Sequence, residues 1–297
     1  MTIVLPKSYG AVAAIRQRSI PCITEEQALR EDIRALRIGL LNLKACDEDY
    51  EASLLGPMGR SVMQIEPSWI RLKNHAYDQR EVARVNGLYV SFEQAIETGT
   101  LDGLIVSGVS GREVDFENLP SWPEVARILR YARNNIPATL GIGWGAQMLA
   151  SFIGAGSRLL GQKQFGVYEA RNLDEVHRIT SAMDDVFCCP VSRWSAVDDD
   201  ALEREQKQGA IELLARSDQA GYLMAESSDH RFLMHFGHPE YEVADMVREY
   251  RHANGENGGG GSVPENFDET KTVNCWRGHC TALFTGWIRY IHETRTF

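Results

Sequence analysis

The chain reads as an α/β protein built on a mostly parallel sheet with helices covering both faces. Three observations predict this. Apolar runs such as Leu36–Leu43 and Gly103–Gly108 are nearly unbroken by polar residues, as strands buried on both sides must be. Stretches with helical spacing alternate with them: Val125, Ile128, Leu129 and Ala132 recur at i, i+3, i+4 and i+7. A strand-like Ala138–Ile142 also runs straight into Gly143-Trp144-Gly145-Ala146-Gln147, the pattern of a sharp strand-to-helix turn.

In chain order, the first 35 residues read as an irregular extension, with one domain over 36–297. Strands are expected at 36–43, 61–65, 103–108 and 138–142, and helices near 47–55 and through residue 152. After Gly154 the pattern becomes short strands with polar connections, at 165–168, 186–189, 213–215, 221–224 and 231–236. Val243, Met246, Val247 and Tyr250 form another helical stripe. Residues 254–265 hold a run of four glycines and read as a flexible loop, and 276–293 as a docking helix. No internal repeat interrupts this order.

The composition narrows the function. With 43% hydrophobic and 24% charged residues, the 297-residue chain matches ordinary globular usage. A net charge of -10 argues against nucleic acid as a general partner, since phosphate binding needs clustered Lys and Arg. No apolar run reaches the roughly 18–20 residues that span a bilayer, and no secretory signal is expected in Met1–Tyr9. The spacing of the six cysteines fits neither a disulfide framework nor a metal site. A reducing, cytoplasmic setting is the expectation.

Two places carry candidate chemistry. The turn at Gly141-x-Gly143-x-Gly145 has the form of a nucleophile elbow with no side chain at its tip. Gly141-x-Gly143-x-x-Ala146 also fits a loose dinucleotide fingerprint, but it falls on about the fourth strand, and only Glu169 stands as a poor acidic partner. The second place is Gly237-His238-Pro239-Glu240, where a histidine past an apolar strand precedes a carboxylate by two residues, as for a general base and its orienter. His235 is expected on the opposite face and is given no role.

These residues resemble the homoserine O-succinyltransferase family, homoserine O-acetyltransferases of the same type included, a branch of the class I glutamine-amidotransferase-like fold. Glu31–Leu43 is similar to its opening strand, and Leu101–Gly108 to the strand before its substrate loop, continued by 116–122. Trp144–Gln147 resembles the elbow, Lys163–Val167 and Pro190–Arg193 two further blocks, and Gly237–Tyr241 the His-Glu block. Trp276–His279 and Gly286-Trp287 resemble the C-terminal helix. The resemblance implies a Cys at the elbow that takes an acyl group from acyl-CoA, with a His as base and a Glu as its orienter. Carried over, these are His238 and Glu240, with Gly143 at the nucleophile position. The resemblance further implies that Gly108 and Trp144 provide the oxyanion side of the elbow, and that Lys163 and Ser192 hold the amino-acid substrate or shape the site. It also implies acyl-CoA as co-substrate, no tightly bound cofactor, and a homodimer.

The chain departs from that pattern elsewhere. Gly108–Arg112 replaces a Gly-Ala-Pro loop, with Arg112 near the position that selects the acyl donor. His252 replaces an Arg that would grip the substrate carboxylate. Asn42–Cys46 replaces Asn-Leu-Met-Pro and puts Cys46 after the first core strand, as an alternative nucleophile. Three readings follow: acyl transfer to an amino-acid-like acceptor without a covalent Cys, with His238 as base; a ligand-binding or regulatory pseudoenzyme; or a Cys-to-Gly variant of a homoserine acyltransferase.

Overall fold

The computed structural model describes residues 2–7, 9–10, 12–43, 48–75, 77, 82–108, 114–254 and 264–295. Its first half comprises β1 (Ile3–Leu5), α1 (Val12–Gln17), β2 (Cys22–Thr24), α2 (Glu25–Ala28), β3 (Leu36–Asn42), α3 (Glu48–Met58) and β4 (Ile65–Arg71). There follow α4 (Val82–Leu88), β5 (Val90–Ser91), α5 (Phe92–Glu97), β6 (Gly103–Gly108), α6 (Trp122–Asn135), β7 (Ala138–Gly143) and α7 (Trp144–Ile153). The second half comprises β8 (Ser157–Asn172), β9 (Val186–Val197), α8 (Asp199–Lys207), β10 (Ile211–Ser217), β11 (Gly221–Ser227), β12 (Phe232–His235), α9 (Val243–Asn254) and α10 (Arg277–Thr294).

The twelve strands of the described residues join one sheet, in the order β2-β1-β4-β3-β6-β7-β12-β11-β10-β8-β9 with β5 beside β4. From β2 to β12 the pairing is parallel; from β12 outward it is antiparallel. The alternation of strand side chains divides the core in two. On β6, Ile105 packs with α3 and α10 residues such as Leu54, Phe284 and Trp287, whereas Leu104 and Val106 pack with Ile128 of α6 and Leu149 of α7. The strand order reverses between β3 and β6, so their C-terminal ends open onto the crevice where ligands bind in such sheets.

The structure corrects three expectations. The N-terminal residues are not irregular: β1 and β2 extend the sheet, and the Tyr9 hydroxyl donates to the buried Glu51 at 2.9 Å. Three-residue strands are too short to show a period. The strand read at 61–65 lies at 65–71, with Pro67 inside it. Proline suits this strand because its outer side pairs only at Ile65 with β1 and at Ile70–Arg71 with β5. The strands at 165–168 and 186–189 are parts of a hairpin of 16 and 12 residues. The first half of β8 is largely exposed and sends no apolar signal. Of the loop expected at 254–265, residues 255–263 with the glycine run lie outside the described residues.

Two glycines shape the elbow by sterics. A Cβ on Gly145 would overlap the Val106 carbonyl, and one on Gly141 would stand 2.7 Å from Ala146 Cα. Gly145→Ala is expected to cost about 3 kcal/mol or more by this overlap. Gly87→Ala, on exposed α4 with nothing within 4 Å, is expected to gain up to about 1 kcal/mol. Urea unfolding of the pair reads the contrast.

A second test lies under α10. His235 Nε2 meets His279 Nε2 at 3.0 Å, and the Gly237 N–H donates to His235 Nδ1. The His279 ring stacks on Phe187 at 3.9 Å. Burial lowers His235 to about 3 and His279 well below its ordinary value. Both stay neutral in the fold while the unfolded chain takes up protons below about pH 6.5. Their contribution is therefore intact above that pH and is lost as pH falls toward 3. His279→Phe, which keeps a ring on Phe187, should flatten the decline in unfolding free energy between pH 6.5 and 4.

Candidate active site

Strand β7 passes into α7 with no intervening residue, and Gly143 makes the junction at φ 56° and ψ -117°. An L side chain is strained there, and glycine is not. Gly108, at the end of β6, is the register partner of Gly143. A Cβ on Gly108 would stand 2.8 Å from Trp144 Cε3, so the indole lies flush against that strand end. The first N–H groups of α7 have no partners within the helix and face the crevice as donors.

The other wall comes from the chain just beyond β12. His238 donates its backbone N–H to the Pro190 carbonyl at 2.8 Å. Its Nδ1 lies 2.9 Å from Glu240 Oε1, and its ring stacks on Tyr241 at 4.3 Å. Glu240 Oε1 also accepts from the Tyr50 hydroxyl at 3.3 Å. A carboxylate oxygen that only accepts makes Nδ1 the protonated nitrogen and leaves the lone pair on Nε2. Burial and the neighbouring carboxylates push Tyr50 and Tyr241 well above the ordinary phenol range, so both remain donors.

The two walls touch. A Cβ built on Gly143 would stand 2.5 Å from His238 Cε1 and 2.8 Å from its Nε2. Atoms in contact sit about 3.5–4.0 Å apart. The imidazole edge therefore fills the space a side chain at 143 would need. His238 and Glu240 are only 4% and 3% exposed.

Next to this pair lies a polar cluster. Glu249 of α9 accepts from Lys163 Nζ at 2.8 Å, from the Tyr241 hydroxyl at 2.9 Å and from the Ser192 hydroxyl. Lys163 and Ser192 are thus brought together by Glu249, and Tyr241 links them to His238. His252, one turn beyond Glu249, is exposed and makes no side-chain hydrogen bond or ion pair among the described residues. Arg112 and Cys46 lie outside the described residues. Sequence reasoning missed Tyr50, Tyr241 and Glu249. Tyr241 and Glu249 stand inside blocks read for other positions, and nothing in the local sequence flags Tyr50.

His177, between β8 and β9, forms with Glu212 of β10 and Glu226 of β11 a separate group of metal-ligand type. Glu226 Oε2 is already met by His177, His230 and Arg178. With three partners already on it, this oxygen has little capacity left for an ion. Cys22, Cys188, Cys189, Cys275 and Cys280 are unbridged thiols. Among the described residues no helix is long and apolar enough to cross a membrane.

The fold is similar to solved class I glutamine amidotransferases. One from Thermotoga maritima matches with TM-score 0.54 and 14% identity over 88% of this chain and 97% of that one. One from Methylobacillus flagellatus matches with TM-score 0.54 over 87% and 96%. In sequence the chain is 31% identical to a homoserine O-acetyltransferase of Bacillus mycoides, over 98% of this chain and 97% of the relative. A homoserine O-acetyltransferase of Cereibacter sphaeroides is also 31% identical, over 100% and 98%. The model of the homoserine O-succinyltransferase family matches residues 2–297, elbow and His-Glu block included, and the chain belongs to that family.

Proposed function

We propose that the chain is an acyltransferase that moves an acyl group from acyl-CoA, or another activated donor, to a homoserine-like amino acid without a thioester at position 143. The observation that carries this reading is the intact His238–Glu240 pair, 2.9 Å apart, beside an elbow with no side chain of its own. Glu240 fixes the tautomer, and the elbow N–H groups meet the oxyanion of the tetrahedral intermediate. Lys163 offers a cation to the acceptor's carboxylate and Glu249 an anion to its ammonium, with Ser192 between them. Holding both reactants in place supplies much of the rate when covalent catalysis is absent.

A second reading is favoured by one observation, the burial of the pair against Gly143. On that reading the site binds a ligand without turning it over.

Consumption of acetyl-CoA and succinyl-CoA with a panel of amino-acid acceptors tests the first reading. His238→Ala is expected to lower kcat/KM by ~10²–10⁴-fold, the range for a positioned proton-transfer group. Equal rates in both proteins reject it, and tight binding of acyl-CoA with no turnover supports the second reading. Lys163→Ala is expected to raise the acceptor KM with little change in kcat.

Gly143→Cys tests the steric relation. A side chain there displaces the His238 ring, so the substitution is expected to cost about 1–3 kcal/mol. The cost should shrink in a His238→Ala background, read by a double-mutant cycle in urea. Recovery of homoserine acylation by Gly143→Cys alone would mark a recent or engineered loss.

A further inference from the structure

We infer that His238 Nε2 is itself the acyl acceptor, so that the acyl group passes from the donor to the imidazole and then to the amino-acid substrate. The inference rests on the acyl-transfer reading above and specifies how it is carried out. It starts from space. With Cε1 and Nε2 2.5 and 2.8 Å from the Cβ position of residue 143, no layer of atoms separates the ring from the elbow. A base acting on a hydroxyl needs that oxygen about 2.6–3.2 Å from the nitrogen and also in reach of the carbonyl carbon. A thiol would fill such a layer. Here the ring closes it, and the nearest lone pair to a carbonyl seated over the elbow is that of Nε2.

The hydrogen bonds point the same way. Nδ1 is committed to Glu240 at 2.9 Å, and Glu240 to Tyr50 at 3.3 Å, so Nε2 is the nitrogen left to react. The second oxygen of Glu240 is buried without a hydrogen-bond partner among the described residues. The carboxylate therefore has unused capacity to stabilise a positive ring.

The steps balance. The Nε2 lone pair forms a bond to the thioester carbonyl carbon. The carbon–sulfur bond breaks, and its electron pair leaves with the CoA thiolate, which takes a proton from solvent. The acyl-imidazolium keeps its Nδ1 proton, shared with Glu240. The acceptor's hydroxyl oxygen then attacks the same carbon, the carbon–nitrogen electron pair returns to Nε2, and the hydroxyl proton passes to solvent.

Isotope exchange tests this with the full chain. Labelled coenzyme A is incubated with unlabelled acetyl-CoA or succinyl-CoA and no acceptor. Transfer through Nε2 predicts label entering the acyl-CoA pool, with parallel double-reciprocal plots when homoserine is added. His238→Gln is expected to abolish the exchange, by more than ~10³-fold, as loss of a covalent nucleophile does. Glu240→Gln is expected to slow it, which keeps the test open should His238→Gln fail to fold. Product formation without acceptor-free exchange overturns the inference and leaves the acyltransferase reading standing, with His238 as base in a direct transfer. Exchange that survives His238→Gln and disappears in Cys46→Ser also overturns it. Neither exchange nor product with any acceptor rejects both.

Discussion

The contact between the edge of the His238 ring and the bare Cα of Gly143 organises the site. It joins two walls from distant parts of the chain, the β7–α7 junction and the segment after β12. These two strands are register neighbours, His235 opposite Ile142. The sheet alone therefore brings residue 238 over residue 143. What the missing side chain adds is closeness. Glu240 and Tyr241 hold the ring from its far side, by a hydrogen bond and by stacking. The ring is thus wedged between a carboxylate, a phenol and a backbone, with its one unassigned nitrogen at the elbow.

Much of the frame was legible in the residues. The nearly unbroken apolar runs of β3, β6 and β7 mark strands with helices on both faces, and the spacing in α6 marks the helix that covers one of them. The elbow was legible because a crowded strand-to-helix bend excludes side chains at 141 and 145 and favours glycine at 143. The dyad was legible because its two members are two residues apart. The parts that escaped share a physical cause. Tyr50 reaches Glu240 across 190 positions, and Glu249 reaches Lys163 across 86. Periodicity and local spacing carry no trace of such pairs. The exposed half of β8 and the three-residue strand β1 failed to register because neither presents a buried face long enough to set a period.

The polar cluster beside His238 bears on the departures from the family pattern. Glu249 draws in Lys163, Ser192 and Tyr241, so three polar side chains share one carboxylate. His252 stands outside this cluster on an exposed turn of α9. The charge balance at the site is set by Lys163 and Glu249 as a pair. A zwitterion meets both members of such a pair, whereas a simple carboxylate would compete with Glu249 for Lys163.

The glycines at 141 and 145 have a wider consequence. Each is demanded by its immediate neighbours, the backbone of Ala146 for one and the carbonyl of Val106 for the other. Neither requirement refers to any reaction. Selection for a stable chain would keep both whatever residue stood between them. The familiar spacing therefore certifies a crowded bend in the backbone, whatever chemistry is carried above it.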